Sequence, residues 1–312
     1  MSLENLSVLV TGGAGFIGSH LVVALLERNC RVTVLDNLST GNRANLAHVA
    51  DRITFIEGDI RNRELLTDLL PGVELVFHQA AMVSVPQTVE QPIESAEVND
   101  MGTLFLLEAA RQAKVRRVVL ASSCAVYGDD PRLPKVETMS PKPQSPYAAQ
   151  KLMGEHYARL YYQLYGLETV CLRYFNVFGP RQDPSSAYSG VISIFMTRAA
   201  AGDAPTIYGN GEQFRDFIFV GDVARANLHA ATAPAAAGRH FNIGTGSHIT
   251  VNRLWETICR LTPHFHQPHY APARAGDIMA SAADISLARE TLKFEPSVSF
   301  EEGLKITFNW YK

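Results

Sequence analysis

The run Val8-Leu9-Val10-Thr11-Gly12-Gly13-Ala14-Gly15-Phe16-Ile17-Gly18, followed by an apolar stretch to about Arg28, leaves this chain few folds to choose from. It reads as a buried strand that turns through glycines and enters a helix at once. Glycines at 12, 15 and 18 permit a tight turn, expose backbone N–H groups and let the helix pack closely on the strand. A helix N-terminus with free N–H groups and the positive end of its dipole attracts an anion, so the segment predicts the diphosphate of a dinucleotide. Glycine turns are common in proteins. The placement between a strand and a helix, early in the chain, is what gives this one meaning.

The same rhythm continues. Apolar runs at Ser7–Val10, Arg31–Leu35, Ile53–Ile56, Leu75–His78, Arg117–Ala121 and Thr169–Arg173 read as strands covered on both faces. Helical patterns separate them, including long ones over about 92–113 and 146–165. Repeated βα units predict a doubly wound parallel (Rossmann) α/β sheet. After Arg173, Gly, Pro and polar residues become frequent and the helices shorten. We therefore expect a dinucleotide-binding domain over residues 1–174 and a smaller, partly discontinuous α/β substrate-binding lobe over 175–312. Strand-like segments at Phe217–Val220 and His240–Ile243 are expected to return toward the main sheet, within about 216–243. The 312 residues, 46% of them hydrophobic, can fill such a core.

Charge and cysteine usage exclude several functions. A formal charge of -3 gives no attraction to nucleic acid or to an acidic membrane surface. Cys30, Cys124, Cys171 and Cys259 lie far apart without a CxxC pair, against a disulfide framework or a thiolate metal site. The N-terminal residues carry no basic segment followed by an apolar one, and no run is long enough to span a bilayer. The expectation is a cytoplasmic protein. His264, His266 and His269 occupy a Pro-rich loop without flanking carboxylates, which reads as a polar surface loop rather than a metal site.

Two constellations carry chemistry. Asp36 closes the second strand, where a carboxylate suits the adenosine ribose hydroxyls and would repel a 2′-phosphate, favouring NAD over NADP; Arg43 is nearby in sequence. Asp59 and Ile60 follow the third strand, placed to meet the adenine, with turn chemistry as the alternative for both aspartates. Ser145-Pro146-Tyr147 opens a helix, Ser145 as cap and Pro146 in the first turn. Tyr147 and Lys151, four residues apart, then share a helix face. A free tyrosine titrates near about 10. A neighbouring ammonium and a positive nicotinamide ring both favour its phenolate, making the pair a general base for hydride transfer. Between loop and helix lies a hydroxyl-rich strand end, Ala121-Ser122-Ser123-Cys124-Ala125-Val126-Tyr127-Gly128.

In order along the chain, TGGAGFIG, SSCAVYG, YAAQK, RYFNVFGPRQDP and RDFIFVGDV resemble the extended short-chain dehydrogenase/reductase family, and within it the UDP-hexose 4-epimerases. The resemblance spans nearly the whole chain. It implies Ser123, Tyr147 and Lys151 as the catalytic set, with Ser122 the neighbouring candidate for the hydroxyl. For NAD it implies Gly12, Gly15, Phe16, Ile17, Gly18, Asp36, Asn37, Asp59, Ile60, Ala80, Ala81 and Asn99 beside Tyr147 and Lys151. Dehydratases and decarboxylases of the family carry acids immediately after the hydroxyl, where this chain has Cys124 and Ala125. That departure favours epimerisation.

For a UDP-sugar substrate the resemblance implies Arg215 and Arg274 at the diphosphate, where guanidinium forks suit phosphate oxygens. Asn176 would meet the diphosphate or the sugar, and Asp277 the nucleoside ribose. Arg181 is placed either in the site or in a surface salt bridge. Ser281 borders the sugar's 2-substituent, and its small size would admit an acetamido group. Ser84 is either a sugar contact or a loop cap. The resemblance also implies a homodimer, through the two long helices near 92–113 and 146–165. The rival readings are another sugar-nucleotide enzyme of this family and a non-catalytic NAD sensor.

Overall fold

The computed structural model describes residues 3–183, 190–262, 266–273 and 279–311. Its centre is a seven-stranded sheet containing β1 (Ser7–Thr11), β2 (Arg31–Asp36), β3 (Ile53–Glu57), β4 (Leu75–His78), β5 (Arg117–Ser123) and β6 (Glu168–Tyr174). The seventh strand, Arg239–Ile243, lies on the β6 edge. The spatial order is Arg239–Ile243, β6, β5, β4, β1, β2, β3, with every neighbour parallel. Because β1 has β2 on one side and β4 on the other, the chain leaves it in opposite directions. A crevice therefore opens at the carboxyl ends of β1 and β4.

The apolar runs explain this sheet. Side chains alternate between faces, and both faces are covered. Val8, Val10, Val34, Phe77 and Val119 enter one core, with the helices Phe16–Leu26 and Val220–Thr232. Leu9, Leu35, Val76 and Val118 enter the other, with the helices Gly102–Gln112 and Pro146–Tyr165. The second lobe has its own core, in which Phe178, Phe195, Ile207, Trp255, Ile258 and Phe308 are buried.

Two expectations need correction. Phe217–Phe219 does not join the main sheet: it pairs in parallel with Asn176–Phe178 as a separate ribbon, while Arg239–Ile243 does join it. The helix expected over 92–113 is interrupted. Pro92–Ala96 and Gly102–Gln112 flank a π turn at Glu97–Met101, a widening frequent at functional sites. The 146–165 helix has the expected ends, with Ser145 accepting from the Ala148 N–H and Gly166 closing it in the left-handed conformation.

Candidate active site

The glycine loop is shaped by contact. Gly12 has φ +68, and a Cβ there would lie 2.6 Å from the Ala80 nitrogen; one at Gly18 would lie 2.1 Å from the Gly12 oxygen. Gly15 begins the Phe16–Leu26 helix without any side-chain cap, so the first-turn amides, beginning with Phe16 and Ile17, keep their donors for a ligand. Asp36 accepts from the Ala14 N–H at 2.8 Å and from the Leu38 N–H at 2.8 Å. Its carboxylate thus orders the loop, and lone pairs remain for further donors. Asn37 donates to Asp59 across 2.9 Å, and Arg61 grips Asp59 through Nε at 2.9 Å and Nη2 at 2.8 Å. The Arg61 hydrogen bonds pull Asp59 down to about 2, so turn chemistry accounts for this aspartate's own partners. Ile60 is buried next to Gly102, where a Cβ would sit 2.7 Å from its Cδ1.

Beneath the crevice runs a buried polar chain that sequence reading missed. Thr103 donates its hydroxyl to the Asn99 carbonyl at 2.6 Å, so toward His78 Nε2, 2.9 Å away, it acts as acceptor. His78 therefore carries its proton on Nε2, and its Nδ1 accepts from the Thr11 hydroxyl at 2.7 Å. Burial depresses this histidine to about 3. Asn99, inside the π turn, holds Met82 through N–H at 2.8 Å and C=O at 3.0 Å, and donates to Gln150 at 2.7 Å. Asn99 thereby fixes the segment after Ala80 and Ala81. Both alanines line a cavity together with Asn99, Ser122, Lys151 and Glu155.

The catalytic candidates converge at the end of β5. The Ser123 hydroxyl favours ionisation of Tyr147, while burial, the larger effect, pushes Tyr147 up to about 12. The Lys151 ammonium lies 5.8 Å from the Tyr147 ring centroid and donates to the Ala121 carbonyl at 3.0 Å; burial lowers it to about 8. Ser122 turns away from the crevice and donates to Glu155 at 2.5 Å. Of the two serines, Ser123 is the one paired with Tyr147. Glu155 and Arg173 form a bidentate ion pair at 2.8 and 2.7 Å.

A second pocket adjoins Ser123, lined by Cys124, Ala125, Gly128, Lys135, Asn176, Arg215, Ala280 and Ser281. It brings together Asn176, Arg215 and Ser281 from distant parts of the sequence. The frame is Asp216, a carboxylate at 0% exposure. It accepts from the Thr245 N–H at 2.8 Å, the Thr245 hydroxyl at 2.7 Å and the Gly246 N–H at 3.0 Å, and its own carbonyl accepts from the Asn176 N–H at 3.0 Å. Ser281 N–H donates to the Phe214 carbonyl at 3.1 Å. Cys124 faces Ser281 through a side-chain hydrogen bond, and burial raises its thiol to about 11. Cys124 thus lines the pocket instead of only packing behind it.

Other candidates lie elsewhere. Ser84 caps the Val85–Glu90 helix, accepting from the Gln87 N–H at 3.2 Å. Arg181 packs beside the nucleotide domain, 3.4 Å from His48 Nε2, and no salt bridge joins it among the described residues. Arg274, Asp277 and His264 lie outside the described residues. His266 accepts from Trp255 Nε1 at 2.8 Å through its carbonyl, and His269 pairs with Thr206. One pattern signal was available for Glu155: it follows Tyr147 and Lys151 at steps of four on the same helical stripe.

A parallel sheet with an uncapped glycine-loop helix at its switch point, and a Ser–Tyr–Lys set at the end of β5, defines a dinucleotide-dependent enzyme of the extended short-chain dehydrogenase/reductase class. Residues 8–244 match the NAD dependent epimerase/dehydratase family, and the chain belongs to it, with NAD as its cofactor. The UDP-glucose 4-epimerase of Mycolicibacterium smegmatis is 41% identical over 310 residues, covering 97% of this chain and 98% of its own. Among solved structures, a UDP-N-acetylglucosamine 4-epimerase from Methanobrevibacter ruminantium, in complex with UDP-N-acetylmuramic acid, superposes with a TM-score of 0.95. It is 41% identical, and the match covers 99% of this chain and 98% of the other. UDP-glucose 4-epimerase of Thermotoga maritima, with UDP-glucose, gives 0.93 at 40% identity, covering 98% of each chain.

Proposed function

We propose that the protein inverts C4 of a UDP-hexose, interconverting UDP-glucose and UDP-galactose and accepting UDP-N-acetylglucosamine as well. The observation that carries this reading is the pairing of Ser123 with Tyr147 beside a pocket whose described lining contains Arg215, Lys135 and Asn176 but no carboxylate. An acid there would be needed to eliminate water. Its absence among the described lining residues favours a reaction that ends where it began in redox state.

The residues divide the work. NAD, when bound, would supply a reversible hydride acceptor for C4, and its positive ring would lower the cost of a neighbouring phenolate. Tyr147 takes the proton of the 4-hydroxyl and gives it back after the 4-keto sugar has turned over. Ser123 hydrogen-bonds the reacting oxygen. Lys151, with one donor on Ala121, offers its remaining two to the cofactor's ribose. Arg215 pairs with the sugar diphosphate. The uncapped first turn at Gly15 and the close approach of Gly12 to Ala80 suit the dinucleotide's diphosphate, and Asp36 favours NAD over NADP.

We also infer a homodimer. Val85, Val89, Ile93, Met153, Leu160 and Leu164 leave an exposed apolar face on the helices over 85–96 and 146–165. The central experiment incubates purified protein with UDP-glucose or UDP-N-acetylglucosamine, without added NAD, and follows C4 inversion by NMR. Formation of the C4 epimer, lost by roughly a hundredfold or more in Tyr147→Phe, is the expected result. No C4 epimer from either sugar, or full turnover by Tyr147→Phe, overturns the reading.

A further inference from the structure

Three consecutive residues of β5 each meet one residue of the same helical stripe. Ser123 faces Tyr147, the Ala121 carbonyl accepts from Lys151, and Ser122 donates to Glu155. The last contact is wholly buried and leads into an ion pair between Glu155 and Arg173: Ser122 is 4% exposed, Glu155 7% and Arg173 1%. Ser122 and Arg173 are also direct register partners across β5 and β6, as are Ser123 and Tyr174. Glu155 therefore receives both strands at once, at the residue immediately before Ser123.

We infer that Ser122, with the Glu155–Arg173 pair, is a positioning residue that sets the distance between Ser123 and Tyr147. A hydroxyl donating to a carboxylate at 2.5 Å is a charge-assisted bond, short and directional. A buried ion pair adds little net stability, since desolvation offsets attraction, yet it holds a fixed geometry. Here that geometry locks the helix against sliding along the strand. Tyr147 lies eight residues from Glu155, about 12 Å along the helix axis, so a slip at one end is transmitted to the other. Against β5 itself, Lys151 holds the helix by a single lysine bond to a carbonyl, which tolerates rotation.

The inference rests on the reading of Ser123 and Tyr147 as the pair that handles the proton. Full-length Ser122→Ala, which leaves the Glu155–Arg173 bonds intact, is compared with wild type and with Ser123→Ala on UDP-glucose. We expect kcat to fall roughly tenfold in Ser122→Ala with KM within about twofold, because misplacement of reacting groups costs rate rather than binding. The acid limb of the kcat profile should also rise by about half a pH unit, since Tyr147 loses part of the Ser123 bond that lowers it. The other titratable groups facing Tyr147, Lys151 from the helix and Cys124 from the strand end, are unchanged in this variant. Wild-type kcat and an unmoved limb, in a protein whose Ser123→Ala has lost turnover, overturn the inference and leave the reading standing. Full turnover by Ser123→Ala overturns the reading and the inference with it.

Discussion

His78 donates Nε2–H to the Thr103 hydroxyl across 2.9 Å, and it can do so while accepting from Thr11 only as a neutral ring. From the end of β4 the ring bridges β1 to the helix Gly102–Gln112 just past the π turn, under the crevice where the cofactor is expected. Neutrality is enforced from both sides, since each nitrogen has a partner of opposite role.

That enforcement has a pH signature. Burial lowers His78 from 6.5 to about 3 in the folded protein, so the unfolded chain binds a proton that the native state refuses. The stabilisation is complete above the unfolded value and is lost as pH falls from 6.5 toward 3. Between pH 6.5 and 5 the loss amounts to roughly 2 kcal/mol. His78→Gln removes this contribution while His20, also depressed by burial, keeps its own. Urea unfolding at pH 6.5 and pH 5 should therefore show a shallower acid loss in the variant. An identical loss in both proteins would rule out the neutral buried ring.

Gly18→Ala should disable the glycine loop. Its added Cβ would lie 2.1 Å from the Gly12 oxygen, a backbone atom that cannot swing aside. Overpacking of this kind costs about 1–3 kcal/mol. Thermal unfolding should report that loss, and NAD retained through gel filtration should fall with it. A variant with wild-type melting and full NAD content contradicts the packing described for this helix.

Ser281 lines the pocket opposite Cys124, and both are small. Ser281→Tyr should fill the space beside the sugar's 2-position. Turnover of UDP-N-acetylglucosamine should drop at least about a hundredfold, while UDP-glucose stays within roughly tenfold. Equal retention of both substrates would show that this side chain does not border the 2-substituent.

Leu160 and Leu164 are 46% and 67% exposed, one turn apart on the helix that carries Tyr147. Replacing both with Glu places two charges on the inferred dimer face. Light scattering should then give the mass of one chain where wild type gives two. A wild type that is already monomeric at micromolar concentration removes the dimer proposal.

The sequence made much of this legible, for reasons that can be named. The six early strands stand out because two-sided burial produces unbroken apolar runs, and the glycine loop because its turn tolerates few other residues. Phe217–Phe219 reads equally well as a strand of either sheet, since three apolar residues carry no record of their partner. The π turn at Glu97–Met101 widens the backbone without any residue that marks it. Asn99 and Asp36 were visible as cofactor candidates, but the bonds of Asn99 to Met82 and of Asp36 to Ala14 span 17 and 22 residues, and only the Leu38 bond is local. The Ser122–Glu155–Arg173 contact joins positions 33 and 18 residues apart, a distance over which periodicity is silent.

Asp216 holds Thr245, Gly246 and Asn176 by backbone groups and neighbouring hydroxyls, whereas Cys124 and Ser281 meet the pocket with side chains. The scaffold and the upholstery of this pocket are consequently separable. On the proposed function, one mutation at a lining position would change which sugar is accepted without disturbing the carboxylate that keeps the walls upright. On that reading, substrate preference and fold would change independently, since the frame and the lining are carried by different residues.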